Sequence, residues 1–339
     1  MTKKIFITGG AGFIGSHTCV EILKRNHDVV VFDSLVNSSF ETLSRIERLA
    51  AKKFEFIQGD IRDLDILVSA MNAFKPSSVI HFAGLKSVNE SVINPLEYYD
   101  VNVKGAVNIL VAMSHVGCNE IVFSSSATVY GTGSSPPYSE RDITDPVSPY
   151  GRSKLIFENI LEDWANSVDD ANAISLRYFN PVGAHSSGLI GESPKDTPNN
   201  LMPLIAQTAQ GKRPYLSIYG DNYETIDGTG ERDYIHVTDL ANGHLKAIEQ
   251  IKKLKKFEIL NLGTGKSTSV KELVRIFEKV NNVKVPTKVV ERRAGDIAKS
   301  YADCRLAFDL IGFQCTKSID EMCSDTWNWI TLNPNGYTD

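Results

Sequence analysis

Apolar residues in the first half of the chain follow two alternating rhythms. Short β-branched runs at Ile5–Thr8, Val29–Phe32, Phe54–Ile57, Val79–Phe82, Glu120–Ser124 and Ala173–Arg177 read as strands. Longer stretches between them repeat at the helical period. This alternation predicts βαβ units with right-handed crossovers and a parallel sheet covered by helices on both faces. After Phe179 the pattern loosens, and Pro181, Gly183, Gly188, Gly191, Pro194, Pro198, Pro203 and Pro214 crowd together. A second, smaller unit is expected to begin there. Helical character returns over Asp233–Glu249 and a strand pattern over Phe257–Leu262, so the chain is expected to revisit the first domain. The division expected is residues 1–179, rejoined by about 235–262, against 180–234 and 263–339. No repeat or low-complexity segment interrupts it.

Composition narrows the class. With 339 residues, 42% of them hydrophobic, the chain can bury a substantial core. A net charge of -5 and the lack of a long polybasic run exclude a general nucleic-acid grip or an anionic membrane surface. The cluster at Lys252–Lys256 reads as a solvated helix end or loop. Five cysteines without CxxC spacing suggest neither a disulfide framework nor a zinc ribbon, and fit a reducing cytoplasm. Only three apolar residues separate Lys4 from Thr8, too few for a signal peptide, and no run approaches the roughly 20 apolar residues a spanning helix needs. The seven histidines are scattered, so no metal site is expected, and His17, His81 and His236 read as packing or hydrogen-bonding residues.

Candidate chemistry starts at the first strand's end. Gly9-Gly10-Ala11-Gly12-Phe13-Ile14-Gly15 follows that strand and opens an amphipathic helix, setting glycines at 9, 12 and 15. Such a loop lets the backbone approach a pyrophosphate, whose charge is favoured by the free N–H groups of the helix start. A tight turn alone would need no ligand. Asp33, at the end of the second strand, strengthens the reading, because a carboxylate there binds a ribose diol and repels a 2′-phosphate. The combination points to a Rossmann-type, doubly wound sheet binding NAD rather than NADP. Asp60, after the third strand, is placed to reach the adenine edge; a helix cap is an equally good reading of it.

Tyr150-Gly151-Arg152-Ser153-Lys154 sets a phenol and an amine four residues apart, on one face of a helix. A free tyrosine, with a pKa near 10, is too weakly acidic to serve as a base at neutral pH, but a neighbouring ammonium and a positive nicotinamide both favour the phenolate. YxxxK alone would pass for an exposed helical pair. Here Ser124-Ser125-Ser126 ends the fifth strand at the sheet's carboxyl edge, where ligands bind in open α/β folds, and Ser126 can hydrogen-bond a reacting oxygen.

The glycine loop and the Ser…YxxxK order resemble the extended short-chain dehydrogenase/reductase family. Longer runs resemble its nucleotide-sugar 4-epimerases: His81–Lys86, Ser124–Gly131, Leu176–Gly183, Pro198–Pro203 and Asp227–His236. The resemblance implies NAD contacts from Gly9, Gly12, Phe13, Ile14, Gly15, Asp33, Ser34, Leu35, Val36, Asn37, Ser38, Asp60 and Ile61. It extends them to Phe82, Ala83, Gly84, Leu85, Lys86, Tyr150, Lys154 and Phe179. It implies UDP-hexose contacts from Lys86, Ser126, Tyr150, Asn180, Asn200, Ser217, Ile218, Tyr219, Arg232, Arg293 and Asp296. Guanidinium forks suit a diphosphate because they are always charged and can bind bidentately. Without the resemblance, Arg293 would read as part of a surface charge run.

The implied activity is reversible epimerisation at carbon 4 through a 4-keto sugar, with Tyr150 as base, Lys154 and Ser126 assisting, a mixed α/β C-terminal substrate domain and a homodimer paired through helices near Leu96–His115 and Tyr150–Trp164. Those apolar faces could equally pack within one subunit. Ser300 aligns with a position where epimerases restricted to unacetylated sugars carry a tyrosine, which implies that N-acetylated UDP-hexoses also fit; a one-residue shift would put Tyr301 there instead. Three other readings compete. A 4,6-dehydratase needs an acid/base pair beside the serine, where this chain has Ala127-Thr128. A net oxidoreductase would release NADH, whereas an epimerase recycles it. A non-catalytic NAD-binding scaffold would have no need of Ser126, Tyr150 and Lys154 together.

Overall fold

The computed structural model describes residues 2–195, 200–293 and 295–338. Pro198, Asn199 and Ala294, which belong to the motifs above, lie outside the described residues. The chain opens with β1 (Lys4–Thr8), α1 (Phe13–Lys24), β2 (Asp28–Asp33), α2 (Phe40–Ala50), β3 (Glu55–Gln58), α3 (Leu64–Phe74) and β4 (Ser78–His81). Two short helices, α4 (Val88–Ile93) and α5 (Pro95–Tyr99), lead through a π-helical turn at Asp100–Gly105 into α6 (Ala106–Val116). β5 (Glu120–Ser126), α7 (Pro149–Ser167) and β6 (Asn172–Tyr178) follow. Then come β7 (Asn180–Val182), α8 (Leu201–Ala209), β8 (Leu216–Tyr219), β9 (Glu231–Arg232), β10 (Tyr234–His236), α9 (Val237–Gln250) and β11 (Phe257–Leu262). The chain ends with β12 (Thr268–Ser269), α10 (Val270–Asn281), β13 (Thr287–Val290), β14 (Lys299–Ser300), α11 (Arg305–Ile311) and α12 (Ile319–Leu332).

Seven strands form one parallel sheet, in the order β11-β6-β5-β4-β1-β2-β3. The strand period of two splits its side chains between two cores. Ile5, Ile7, Val29, Val31, Val122 and Ile174 pack on one face with Cys19, Leu23, Leu240 and Ile248 of α1 and α9. Phe6, Val30, Phe32, Ile121 and Phe123 pack on the other with Leu67, Met71, Ile109, Phe157 and Leu161 of α3, α6 and α7. Each such fully buried side chain contributes about 1.5–3 kcal/mol. Strand order reverses direction between β1 and β4, so the loops after these two strands part and leave a crevice at the sheet's carboxyl edge.

The remaining strands form small sheets: β10 with β7, β12-β9-β14, and β13 with β8. Beneath them Met202, Ile205, Leu273, Phe277 and Met322 of α8, α10 and α12 make a separate core. The fold is thus a Rossmann-type parallel sheet with a smaller mixed α/β C-terminal part. One sequence expectation shifts. The helix expected around Leu96–His115 is broken into α5, the π-helical turn and α6, with Pro95 opening the first of these. The Lys252–Lys256 cluster is the expected exposed helix end: a 3-10 turn, Ile251–Lys253, closes α9, and Lys252 reaches Glu120 at 3.1 Å. Among the described residues no helix is long and apolar enough to cross a membrane, and no group of three or more His, Cys, Asp or Glu residues could hold a metal ion.

Candidate active site

The glycine loop joins β1 to α1 directly over the crevice. Gly9 has φ +72°, and a Cβ there would sit 2.6 Å from the Ala83 nitrogen; a Cβ on Gly15 would lie 2.2 Å from the Gly9 oxygen. These two glycines are required by packing. Gly12 is less confined: a Cβ there would press on one atom, the Gly9 oxygen at 3.3 Å, with no other neighbour within 4 Å. Gly12 also caps α1 without a side-chain hydrogen bond, leaving the helix's first N–H groups open to an anion.

Asp33 fixes the neighbouring wall. Its buried carboxylate accepts from the Ala11 N–H at 3.0 Å, the Leu35 N–H at 2.9 Å and the Ser38 hydroxyl at 2.9 Å. One side chain therefore sets both the glycine loop and the 34–38 loop, where Leu35 takes φ +58°. A ribose diol would find this acceptor already oriented. The residues present thus fit an NAD dinucleotide.

Of the two readings of Asp60, the helix cap is not realised. Asp63 caps α3 by accepting from the Ile66 N–H at 3.1 Å, while Asp60 pairs with Arg62 at 2.7 Å, which holds its carboxyl below the usual range. The Ile61 side chain is buried and fills the space beside Gly105, so any contact it makes with a ligand must come from its main chain. Phe82–Lys86 follows β4 beside the glycine loop, with the Phe82 and Ala83 N–H groups donating to the Thr8 oxygen.

Tyr150 and Lys154 project from one face of α7, which Ser148 caps and Pro149 opens. The Lys154 ammonium donates to the Ser124 oxygen at 2.9 Å and stands 5.8 Å from the Tyr150 ring centre. Burial brings this amine down to about 8, opposed by Glu158 one turn on. The Tyr150 phenol is shifted by the protein frame alone. Burial pushes it above its ordinary value, and hydrogen bonding with Ser126 only partly offsets this. The protein frame alone therefore favours the neutral phenol, and the expected phenolate rests on the ammonium and a positive nicotinamide together. Ser126 also accepts from the Thr128 N–H at 3.2 Å and its hydroxyl at 3.0 Å, which turns its oxygen over the sheet's edge.

The residues expected to hold the nucleotide sugar lie in the C-terminal part, and several engage one another. Arg232 reaches Asp296 at 3.4 Å and the Ile297 oxygen at 2.9 Å. The Arg293 guanidinium stacks 3.7 Å over the Tyr219 ring at the end of β8, which also carries Ser217 and Ile218. Asn200 caps α8 without a side-chain cap bond, while Asn180 opens β7 and Phe179 is buried just before it. Ser300 pairs in register with Arg232, whereas Lys299 lies opposite Glu231 and reaches it at 3.5 Å. By strand pairing Ser300 shares the Arg232 face of this small sheet, while Tyr301 lies just beyond β14.

The model of the NAD dependent epimerase/dehydratase family matches residues 5–263, well over half of the chain. This chain belongs to that family. Within the epimerase/dehydratase family it is similar to the UDP-glucose 4-epimerase of Neisseria meningitidis serogroup C, at 49% identity over 99% of this chain and 100% of that protein. Among solved structures it is similar to UDP-glucose 4-epimerase from Stenotrophomonas maltophila with bound NAD and formylated UDP-arabinopyranose (TM-score 0.96, 46% identity, covering 98% of this chain and 99% of that one). It is likewise similar to that from Bifidobacterium longum in complex with NAD+ and UDP (TM-score 0.94, 44% identity, covering 98% and 100%).

Two residues of this epimerase/dehydratase chain escape motif reading. Asn102, in the π-helical turn, accepts from the Leu85 N–H at 2.8 Å and donates to the Leu85 oxygen and the Ser153 hydroxyl. It ties the 82–86 loop to the helix of Tyr150. Glu192 accepts from Lys86 at 3.0 Å and from Asn200 at 3.1 Å, joining two expected substrate residues. A π-helical turn is a known mark of functional sites, but nothing in the spacing of Asp100–Gly105 announces one.

Proposed function

We propose that this chain catalyses the NAD-dependent, reversible epimerisation of UDP-hexoses at carbon 4, interconverting UDP-galactose and UDP-glucose. The observation that carries the reading is the placement of Tyr150, Lys154 and Ser126 at the sheet's carboxyl edge, between the glycine loop and the arginine-bearing strands. Gly9, Gly12, Gly15 and Asp33 would hold NAD, which when bound would supply a hydride acceptor for carbon 4 able to return the hydride to either face of the 4-keto sugar. Tyr150 removes the proton of the 4-hydroxyl and later returns it. Ser126 hydrogen-bonds that oxygen, and the Lys154 ammonium favours the phenolate against the burial that opposes it.

The reaction demands a firm hold on the UDP handle and a loose hold on the hexose. Arg232, Arg293, Asn200, Asp296 and Ser217–Tyr219 supply the first, while Lys86, Asn180 and Ser300 border the sugar. A small Ser300 on the Arg232 face supports the use of UDP-N-acetylglucosamine and UDP-N-acetylgalactosamine as well. Residues 1–179 with about 235–262 form the cofactor half, and 180–234 with 263–339 the substrate half. The exposed apolar residues Val92, Ile93, Leu96 and Ile156 support a homodimer built on α4, α5 and α7. A cytoplasmic location accords with five free cysteines.

The test is product analysis by NMR after incubation with UDP-galactose and no added NAD. UDP-glucose should accumulate without net NADH. Tyr150→Phe should remove turnover while bound NAD and thermal stability stay as in the parent; normal turnover in that folded, NAD-loaded variant would refute the assignment.

A further inference from the structure

Residues 189–195 follow β7, outside the seven-stranded sheet, yet their contacts reach the cofactor loops. In that sheet β1 lies between β4 and β2, so the glycine loop is flanked by the 82–86 and 34–38 loops. Glu192 meets the first of these, pairing with Lys86 at 3.0 Å. Lys195 meets the second: its ammonium donates to the Leu35 oxygen at 2.7 Å, and its N–H to the Asn37 side-chain oxygen at 3.2 Å. Three residue steps of extended chain span about 10 Å, enough to cross two strand spacings of about 4.8 Å each. The segment is anchored from behind. Trp329, buried on α12, donates to the Glu192 oxygen at 3.1 Å, and a Cβ on Gly191 would lie 2.5 Å from its ring. The Tyr337 hydroxyl accepts from the Gly191 N–H at 3.1 Å and donates to the Gly191 oxygen at 3.2 Å. Arg45, on the helix into which the 34–38 loop runs, donates to the Leu189 oxygen at 3.0 Å and stands 5.1 Å from the Tyr337 ring centre.

We propose that residues 191–195 form a strap that retains the dinucleotide, with Lys195 as the positioning residue that closes it and Tyr337 as its anchor. This rests on NAD occupying the glycine loop. Leu35 and Asn37 belong to the loop that Asp33 organises, so Lys195 fastens that loop to the C-terminal part across the mouth of the crevice. The Lys86 pair is half-exposed and yields to a ligand's charge, whereas the lasting hold comes from Lys195 and the anchors. A loop serving packing alone would be secured by its contacts with α12. It would gain little from an exposed tie to a main-chain oxygen 160 residues away.

The test follows cofactor release rather than turnover. Enzyme loaded with isotopically labelled NAD is chased with unlabelled NAD, and the label still bound is measured after desalting at successive times. Lys195→Met should shed the label about 3- to 10-fold faster than the parent, the factor expected for one lost hydrogen bond. Its circular dichroism spectrum and its turnover in excess NAD should be those of the parent. Lys195→Arg, which keeps the donor, should restore slow release. Tyr337→Phe changes no charge and should release faster by a similar factor, because the anchor is lost. Parental release from Lys195→Met would overturn the proposal. So would fast release from Lys195→Met beside parental release from Tyr337→Phe, since the lysine would then act on the dinucleotide by charge and not through the strap. A parent enzyme that neither carries nor takes up NAD would refute the occupancy on which the strap rests, whereas equal release from parent and variants refutes the strap alone.

Discussion

The two halves of the site are built on different principles. Around the cofactor crevice, position comes from main chain and buried side chains: Asp33 organises two loops through three hydrogen bonds, and Lys154 is fixed on a strand carbonyl. On the substrate side, expected ligand residues are held through partly exposed contacts, Arg232 on Asp296, Lys86 on Glu192 and the Arg293 guanidinium over the Tyr219 ring. Exposed pairs of this kind contribute little to stability, about 0–1 kcal/mol, and are easily exchanged for a ligand's charges. The contrast suits an enzyme that keeps its cofactor and releases its sugar nucleotide every cycle. Preorganisation serves what stays, and exchangeable contacts serve what leaves.

The harshest test of the cofactor half is Lys154→Met. Turnover should fall by about 100- to 10,000-fold, yet the protein should become more stable near neutral pH. The sign follows from the amine's fall from 10.5 to about 8 on folding. Below about pH 8 the folded state bears the full cost of a buried charge, and that cost fades as pH rises towards 10.5. The variant should therefore gain about 1–3 kcal/mol at neutral pH, less whatever the lost Ser124 contact contributed, and the gain should shrink in alkaline solution. Melting curves of both proteins across that range check it. A variant less stable at neutral pH, with a gap that does not change with pH, would contradict the electrostatic account.

A second comparison separates packing from binding within one loop. Gly15→Ala drives a Cβ to 2.2 Å from the Gly9 oxygen and should cost about 3 kcal/mol or more together with the bound NAD. Gly12→Ala meets only an oxygen at 3.3 Å, at φ -74°. Its melting temperature should fall far less than that of Gly15→Ala while NAD occupancy falls as much. Equal stability losses in the two variants would mean that Gly12, too, is a packing glycine.

Much of this was legible in the sequence because it follows short-range rules. The alternation of Ile5, Phe6 and Ile7 between two cores is the strand period itself, and the glycine loop, Asp33 and the Tyr150/Lys154 spacing follow local geometry. What stayed hidden depends on distance in sequence or depth in space. Glu192 meets Lys86 across 106 residues, and Asn102 acts through a π-helical turn that no pattern of apolar residues encodes. Asp60 kept two readings open because a helix start three residues further on passed the cap to Asp63. The phenol of Tyr150 was read with its cationic neighbour in view but not its burial, and burial sets the direction of the shift.

The gentlest perturbation probes the exchangeable half at Ser300. Its register puts a small side chain beside Arg232, the residue proposed to grip the nucleotide. Ser300→Tyr adds a ring there without disturbing the main-chain pairing, since the Ser300 oxygen still accepts from the Asp233 N–H at 2.9 Å. A ring in that space should clash with an N-acetyl group but clear a hydroxyl. kcat/KM for UDP-N-acetylgalactosamine should fall by about 10- to 200-fold, while that for UDP-galactose changes little. Loss of both activities together would mean that the ring disturbs Arg232 rather than the sugar. Retention of both would place the size limit elsewhere in the pocket, and the loose grip on the hexose would then owe nothing to this strand.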